Sequence, residues 1–329
     1  MAQSSGFSLD ESMQSAFLEN STESSIKKIP FADSSLLLDD MDALRKRANR
    51  DGFLFFRGFL PADEVLAVRR DMLCVLEKFG WRQPGLDSRD CRVLLDKLNE
   101  VPDGEMREDI GVSHAAYHDV QKLESLHRLP HHPKLLALFR RLFDSEILVH
   151  PRHIARMITG HRVMTPTPPH QDFPLIQGTV ETWTCWMPMG DCPRELGGLT
   201  FLKGSHHNGY LPIQNAKGAG GLAVRLCPWE NEWCEGDYQT GDIVIFPSHT
   251  VHKGVRCLIK DAVRLSLDVR YQSVHEPIEE RSLQPHCSLA WKEIYRNWRN
   301  QEYQYYWRKH PLRLVPFDDA YHIPGKRIC

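Results

Sequence analysis

No apolar run in the 329-residue sequence approaches the roughly 20 residues that cross a bilayer, so no membrane span is expected. An excess of charge of one sign is missing too. Lys and Arg number 41 against 43 Asp and Glu, a net charge of -2, which excludes a global field that would attract nucleic acid or an anionic membrane. The nine cysteines contain no Cys-Xaa-Xaa-Cys pair and no regular spacing. That argues against a disulfide framework or structural zinc site and for a reducing compartment. The N-terminus lacks the basic flank and apolar core of a secretory signal. The final Lys-Arg-Ile-Cys matches neither a peroxisomal nor an ER-retention sequence, and the cytoplasm is the expected location. There is no internal repeat.

What is present reads as a soluble globular chain, 41% hydrophobic and 26% charged. Residues 1–30 are Ser-rich and poor in bulky apolar side chains, a composition that predicts disorder. Helices are expected over 36–49, ended by Asp51-Gly52, over 61–78 and over 133–143, with a short buried strand at 53–60 between the first two. Residues 82–113 are polar and irregular and resemble an insertion or lid. From 147 to about 272 the pattern changes to short β-like runs at 147–149, 154–158, 182–187, 200–202, 223–226, 243–246 and 263–271, separated by Gly, Pro and Asn. Many short strands with turn signals predict a sandwich or barrel, including the double-sheet jelly roll. Residues 276–329 read as a helical extension, with Trp291, Ile294, Tyr295 and Trp298 at helical spacing. A core-packing helix explains that segment better than RNA binding, because the chain has no overall basic charge.

Chemistry concentrates in three places. In His170-Gln171-Asp172, an extended backbone would put the imidazole and the carboxylate on one face, where together they can hold a metal ion. A second His from elsewhere would complete the two-His-one-carboxylate set of non-haem iron oxygenases. The second place is Gly241-Asp242, followed by a buried strand that ends at Pro247, His249 and His252. The two histidines have opposite parity on a strand, and Pro247 weakens any parity argument beyond it. The third is the run 262–271, which alternates Val263, Leu265, Leu267 and Val269 with Arg264, Ser266, Asp268 and Arg270. If that polar face lines a lumen, Arg264 and Ser266 form a donor set for a carboxylate. Arg270 and Asp268 are expected to pair with each other or with neighbours. Arg156 and His153 precede the triad and could line the mouth of the site. The adjacent pairs His206-His207 and His131-His132 would diverge on a strand and are read as structural.

Taken in order, His170-Gln171-Asp172, Trp186, Gly197-Gly198-Leu199, Lys203-Gly204-Ser205-His206, Gly241-Asp242, His252 and Arg264-Leu265-Ser266 resemble the phytanoyl-CoA dioxygenase family. Asp51-Gly52-Phe53 and Arg57-Gly58-Phe59-Leu60 resemble that family's opening, so the likeness covers about residues 50–272. It implies a mainly β fold with flanking helices, its double-stranded β-helix core at about 147–272 inside a domain of 31–275. It also implies an Fe(II)- and 2-oxoglutarate-dependent dioxygenase, using O2 to hydroxylate a small-molecule or lipid-like substrate with release of succinate and CO2. By the same resemblance His170, Asp172 and His252 would be the metal ligands. Arg264 and Ser266 would bind 2-oxoglutarate, with Trp186 beside it and Arg156 as a further contact. Two other readings compete: a cupin-type metalloenzyme, which needs no Arg264-Leu265-Ser266, and a non-catalytic jelly-roll binding protein.

Overall fold

The computed structural model describes residues 26–327. Most of the segment expected to be disordered lies outside those residues. Its end does not fit that expectation, because Lys27–Pro30 is a strand running parallel to Glu232–Glu235.

Two β-sheets face each other. The larger contains, in order, Leu54–Phe56, Ile243–Pro247, Trp183–Pro188 and Val263–Ser273, all antiparallel. Ile147–Val149 and Ile154–Thr159 both pair with Val263–Ser273, at its two ends. The smaller sheet runs Lys27–Pro30, Glu232–Glu235, Leu199–Leu202 and His252–Gly254. This is the expected jelly roll, although strands that precede residue 147 complete both sheets.

The period-two alternation of the strands decides what faces what. On the larger sheet Trp183, Cys185, Met187, Ile243, Ile245, Val263, Leu265, Leu267, Val269 and Tyr271 point outward. There they join one apolar cluster with Leu44, Met72, Leu76, Tyr117 and Phe139 of the covering helices. The alternate residues look between the sheets: Phe55, Trp186, Val244 and Phe246 form a second cluster with Phe201 and Tyr238 of the opposite side. Thr184, Arg264, Ser266, Asp268 and Arg270 look inward as well, and all are buried. The helices therefore close the outer face, and the polar face of the last long strand lines the lumen instead of meeting water.

The covering helices are Met41–Asp51, Ala62–Lys78, His114–Gln121 and Pro133–Phe143. The first is capped by the Asp40 carboxylate, which accepts from the Ala43 amide at 2.9 Å, and stopped by Gly52 at φ 81°. Residues 82–113 are not a lid. Val93, Leu98, Met106, Ile110 and Val112 are buried in the main core. The Met157 amide donates to the Ile110 carbonyl at 2.8 Å, and a Cβ on Gly111 would lie 2.1 Å from the Met157 carbonyl oxygen. The C-terminal segment is not the long helix expected. It breaks into the single turn Trp291–Ile294, several 3-10 turns and a two-residue parallel pairing of Ile278–Glu279 with Leu314–Val315. Its aromatic spacing serves a satellite core in which Trp291 stacks on Tyr295 at 5.3 Å and packs with Trp307, Leu148 and Ile278.

Among the described residues seven cysteines are free and Cys227 is disulfide-bonded, which departs from the expectation that no disulfide forms. No described helix is long and apolar enough to cross a membrane.

The seam between this C-terminal segment and the helical layer holds a cluster of imidazoles packed on aromatic rings. His127 lies 4.9 Å from His153 and 5.0 Å from Trp298, and His131 lies 4.4 Å from Tyr306. Burial lowers the pKa of His127 to about 4 and of His131 to about 3, and holds His153 well below the ordinary value. All three are neutral in the fold, whereas the unfolded chain takes up protons near pH 6.5. Their contribution to stability is therefore complete above that pH and is lost as pH falls toward 4. The unfolding free energy of metal-free protein should be flat above about pH 7 and fall below 6.5, by an amount on the order of a few kcal/mol, which denaturant titration across pH measures. His127→Leu should flatten the acid limb; an unchanged limb would remove these rings as its cause.

Candidate metal centre

His170, Asp172 and His252 converge: one donor atom from each lies within 4.8 Å of the others. The means differ from the strand alternation expected of residues 170–172. His170 makes a single antiparallel bridge with His252, each amide donating to the other's carbonyl at 2.9 and 3.0 Å. The chain then turns, so that Asp172 has helical dihedrals (φ -71°, ψ -29°) and precedes the short helix Phe173–Ile176. Gln171 points away; its amide nitrogen donates to the carbonyls of Gly209 and His249 at 2.7 Å each.

Hydrogen bonding decides the tautomers. Nδ1 of His170 faces the Pro168 carbonyl at 2.8 Å, and Nδ1 of His252 faces the Thr250 carbonyl at 3.1 Å. A carbonyl only accepts, so each Nδ1 carries the proton and each Nε2 keeps its lone pair. Both Nε2 atoms lie 3.8 Å from Asp172 Oδ1. The other carboxylate oxygen, Oδ2, accepts from Thr184 Oγ1 at 2.5 Å and faces Arg270 at 3.4 Å. Thr184 and Arg270 are cross-strand partners, so sheet register places both against Asp172. Burial, with the neighbouring His252, lowers the His170 pKa to about 3. Burial pushes Asp172 up, but Arg270 and the two imidazoles outweigh it and hold the carboxylate below its usual range. Two neutral imidazoles and one carboxylate on one side of a buried point suit a divalent metal with open positions.

Next to the triad, Arg264 is buried. One of its terminal nitrogens donates to Ser266 Oγ at 2.5 Å, its Nε has no hydrogen-bond partner among the described residues, and its guanidinium lies 5.8 Å from the Trp186 ring centre. One small cavity touches Arg264, Trp186, His170, Asp172 and His252 together. Arg156 borders that cavity, but its Nε is held by Asp268 at 2.8 Å and another of its nitrogens donates to the Asp109 carbonyl. Asp268 thus pairs with Arg156, and Arg270 with Asp172. His249 stays outside the cluster, edge-on to Phe173 at 5.1 Å. The His206 and His207 rings lie 4.1 Å apart, tilted against each other, and neither belongs to the triad. Thr184, Arg152, His286 and Phe317 also border the site and were not singled out from sequence. Thr184 shares parity with Trp186 and could have been found that way; nothing local marks the other three.

Residues 48–256 match the family described as Phytanoyl-CoA dioxygenase (PhyH). The chain is similar to two enzymes named 1-deoxypentalenic acid 11-beta-hydroxylase. The one from Streptomyces arenae is 26% identical over 255 residues, covering 74% of this chain and 84% of that enzyme. The one from Streptomyces exfoliatus is 25% identical with the same coverage. Among solved structures, the epimerase SnoN in complex with Fe3+, alpha ketoglutarate and nogalamycin RO aligns with a TM-score of 0.51. It is 21% identical, covering 73% of this chain and 86% of that one. That likeness is one of fold.

Proposed function

The chain belongs to the phytanoyl-CoA dioxygenase family and is an Fe(II)- and 2-oxoglutarate-dependent dioxygenase, and from that premise we propose that His170, Asp172 and His252 hold the iron and that the enzyme hydroxylates a small, largely apolar molecule. The observation that carries the assignment is the pair of Nε2 lone pairs fixed by the Pro168 and Thr250 carbonyls and aimed at one side of Asp172 Oδ1. When bound, the metal with 2-oxoglutarate and O2 supplies the oxidising power that places one oxygen atom in the substrate C–H bond and the other in succinate, with loss of CO2.

The chain's own residues do the rest. Thr184 and Arg270 orient Asp172 through Oδ2, leaving Oδ1 for the metal. Arg264 offers its fork to the distal carboxylate of 2-oxoglutarate, with Ser266 fixing the guanidinium and the Trp186 indole walling the co-substrate. Arg156 braces that wall through Asp268. Phe201 and Phe246, whose rings lie 5.9 and 4.5 Å from that of His252, keep water from the site. A cavity of about 260 Å3 with Leu175, Ile176 and Phe317 in its lining supports a compact lipid-like substrate. The seven free thiols support a reducing, cytoplasmic setting, against which stands the disulfide-bonded Cys227.

The test is succinate formation from 2-oxoglutarate by purified protein given Fe(II) and O2. Slow turnover without added substrate is expected, abolished by a chelator and by omitting O2. Complete absence of 2-oxoglutarate binding and turnover in the iron-loaded protein would return the fold to a binding role.

A further inference from the structure

The cavity of about 260 Å3 that begins at His170 and Asp172 is lined by residues whose charges do not cancel. Its acids are all engaged. Asp109 is held by Arg107 at 2.5 Å, Glu279 by Arg281 at 3.3 Å, and Asp172 faces the imidazoles and Arg270. Arg156 is matched by Asp268. Arg152 is left over. Among the described residues no carboxylate lies within 4.0 Å of it; its guanidinium hydrogen-bonds to the backbone carbonyls of Arg281 at 3.3 Å, Gln284 at 3.5 Å and Pro285 at 3.2 Å, and Glu279, itself paired with Arg281, acts on it only from farther off. Those contacts hold the group in place without neutralising it, and a half-buried cation lacking a counter-ion is costly unless a ligand brings one.

A second donor borders the same cavity. Gln121 Nε2 donates to the Tyr117 hydroxyl at 2.9 Å, so the Tyr117 proton goes to His286 Nδ1, 2.8 Å away. Burial keeps His286 neutral, its pKa lowered to about 3, so its single ring proton sits on Nε2. The Ser282 hydroxyl is on the same lining, and Leu175, Ile176 and Phe317 make up its apolar part.

We propose that Arg152, with His286 Nε2–H beside it, binds a carboxylate of the substrate, so that the enzyme acts on a compact apolar monocarboxylic acid. One uncompensated positive charge matches a monoanion better than a phosphate ester, and a guanidinium fork matches a planar carboxylate. Arg152 is then a specificity-determining residue that orients the apolar body toward the metal. This rests on the triad being the reaction centre.

The test uses the full chain, loaded with Fe(II) and saturated with 2-oxoglutarate without oxygen, so that Arg264 is already occupied. Adamantane-1-carboxylic acid, the isosteric carboxamide and the corresponding phosphonate are titrated calorimetrically into wild type, Arg152→Gln and Arg152→Lys. The visible absorption of 2-oxoglutarate on iron is recorded for each protein. The acid should bind wild type about tenfold or more tighter than the amide. That ratio should fall to about one in Arg152→Gln and partway in Arg152→Lys, with the absorption band unchanged in all three. A wild-type ratio near one, no binding of the acid at millimolar concentration, or a ratio that survives Arg152→Gln would overturn the proposal. So would a phosphonate that binds tighter than the acid, or a preference for the acid seen only before 2-oxoglutarate is added, which would place the acid on Arg264. A missing absorption band would instead count against the reading of the metal centre, while the acid-to-amide ratio would still report on Arg152.

Discussion

His252→Ala should yield protein with little bound iron and succinate formation at background, while His249→Ala keeps its metal. The contrast is informative because the two imidazoles lie only three residues apart. His252 presents a lone pair toward Asp172 Oδ1 at 3.8 Å, whereas His249 packs edge-on against Phe173. Deleting the first removes one of three protein donors. Deleting the second disturbs only the backing of the loop that carries Asp172, a loss of at most roughly 10- to 100-fold. Metal analysis of the two purified variants is the measurement. An iron-free His249→Ala protein beside an iron-loaded His252→Ala protein would reverse the assignment.

Arg264→Lys should weaken 2-oxoglutarate binding by roughly ten- to hundred-fold and leave iron affinity nearly unchanged. The guanidinium is buried, one terminal nitrogen is engaged by Ser266 Oγ and its Nε has no hydrogen-bond partner among the described residues, so donors remain for an incoming carboxylate. An ammonium keeps the charge but cannot present a planar pair of N–H groups. Losing part of a charge-assisted bidentate contact costs on the order of 1.5–3 kcal/mol, which corresponds to that range in affinity. Titration of 2-oxoglutarate into iron-loaded wild type and variant measures it. Equal affinities would mean that another cation holds this carboxylate.

The parts of this molecule legible in its sequence are those where one periodicity serves one environment. Residues 263–271 alternate because one face meets the helices and the other the lumen, so Arg264 and Ser266 could be placed together from sequence. Trp186 on the neighbouring strand follows the same rule. Residues 170–172 illustrate a right grouping reached by a wrong route: the spacing suggested a strand, but a turn into a four-residue helix brings Asp172 beside His170. Residues 82–113 misled because Val93, Leu98, Met106, Ile110 and Val112 enter the core at irregular spacing, which matches neither helix nor strand. The C-terminal aromatics matched a helix, yet the chain there follows the shape of a satellite core in single turns. Arg152 and His286 are 134 positions apart, and their shared cavity exists only once the sheet and that C-terminal segment have come together.

The bridge between His170 and His252 has a consequence for the chain's entropy. About 80 residues separate the two, and closing a loop of that length costs about 4 kcal/mol of chain freedom before any constant is added. Here the closure is made by two backbone hydrogen bonds and the strands around them, not by coordination. In small zinc domains the metal itself must supply that ordering, and the apo chain unfolds. In this protein the donors are already neighbours, so nearly all the free energy of coordination is available to retain the ion.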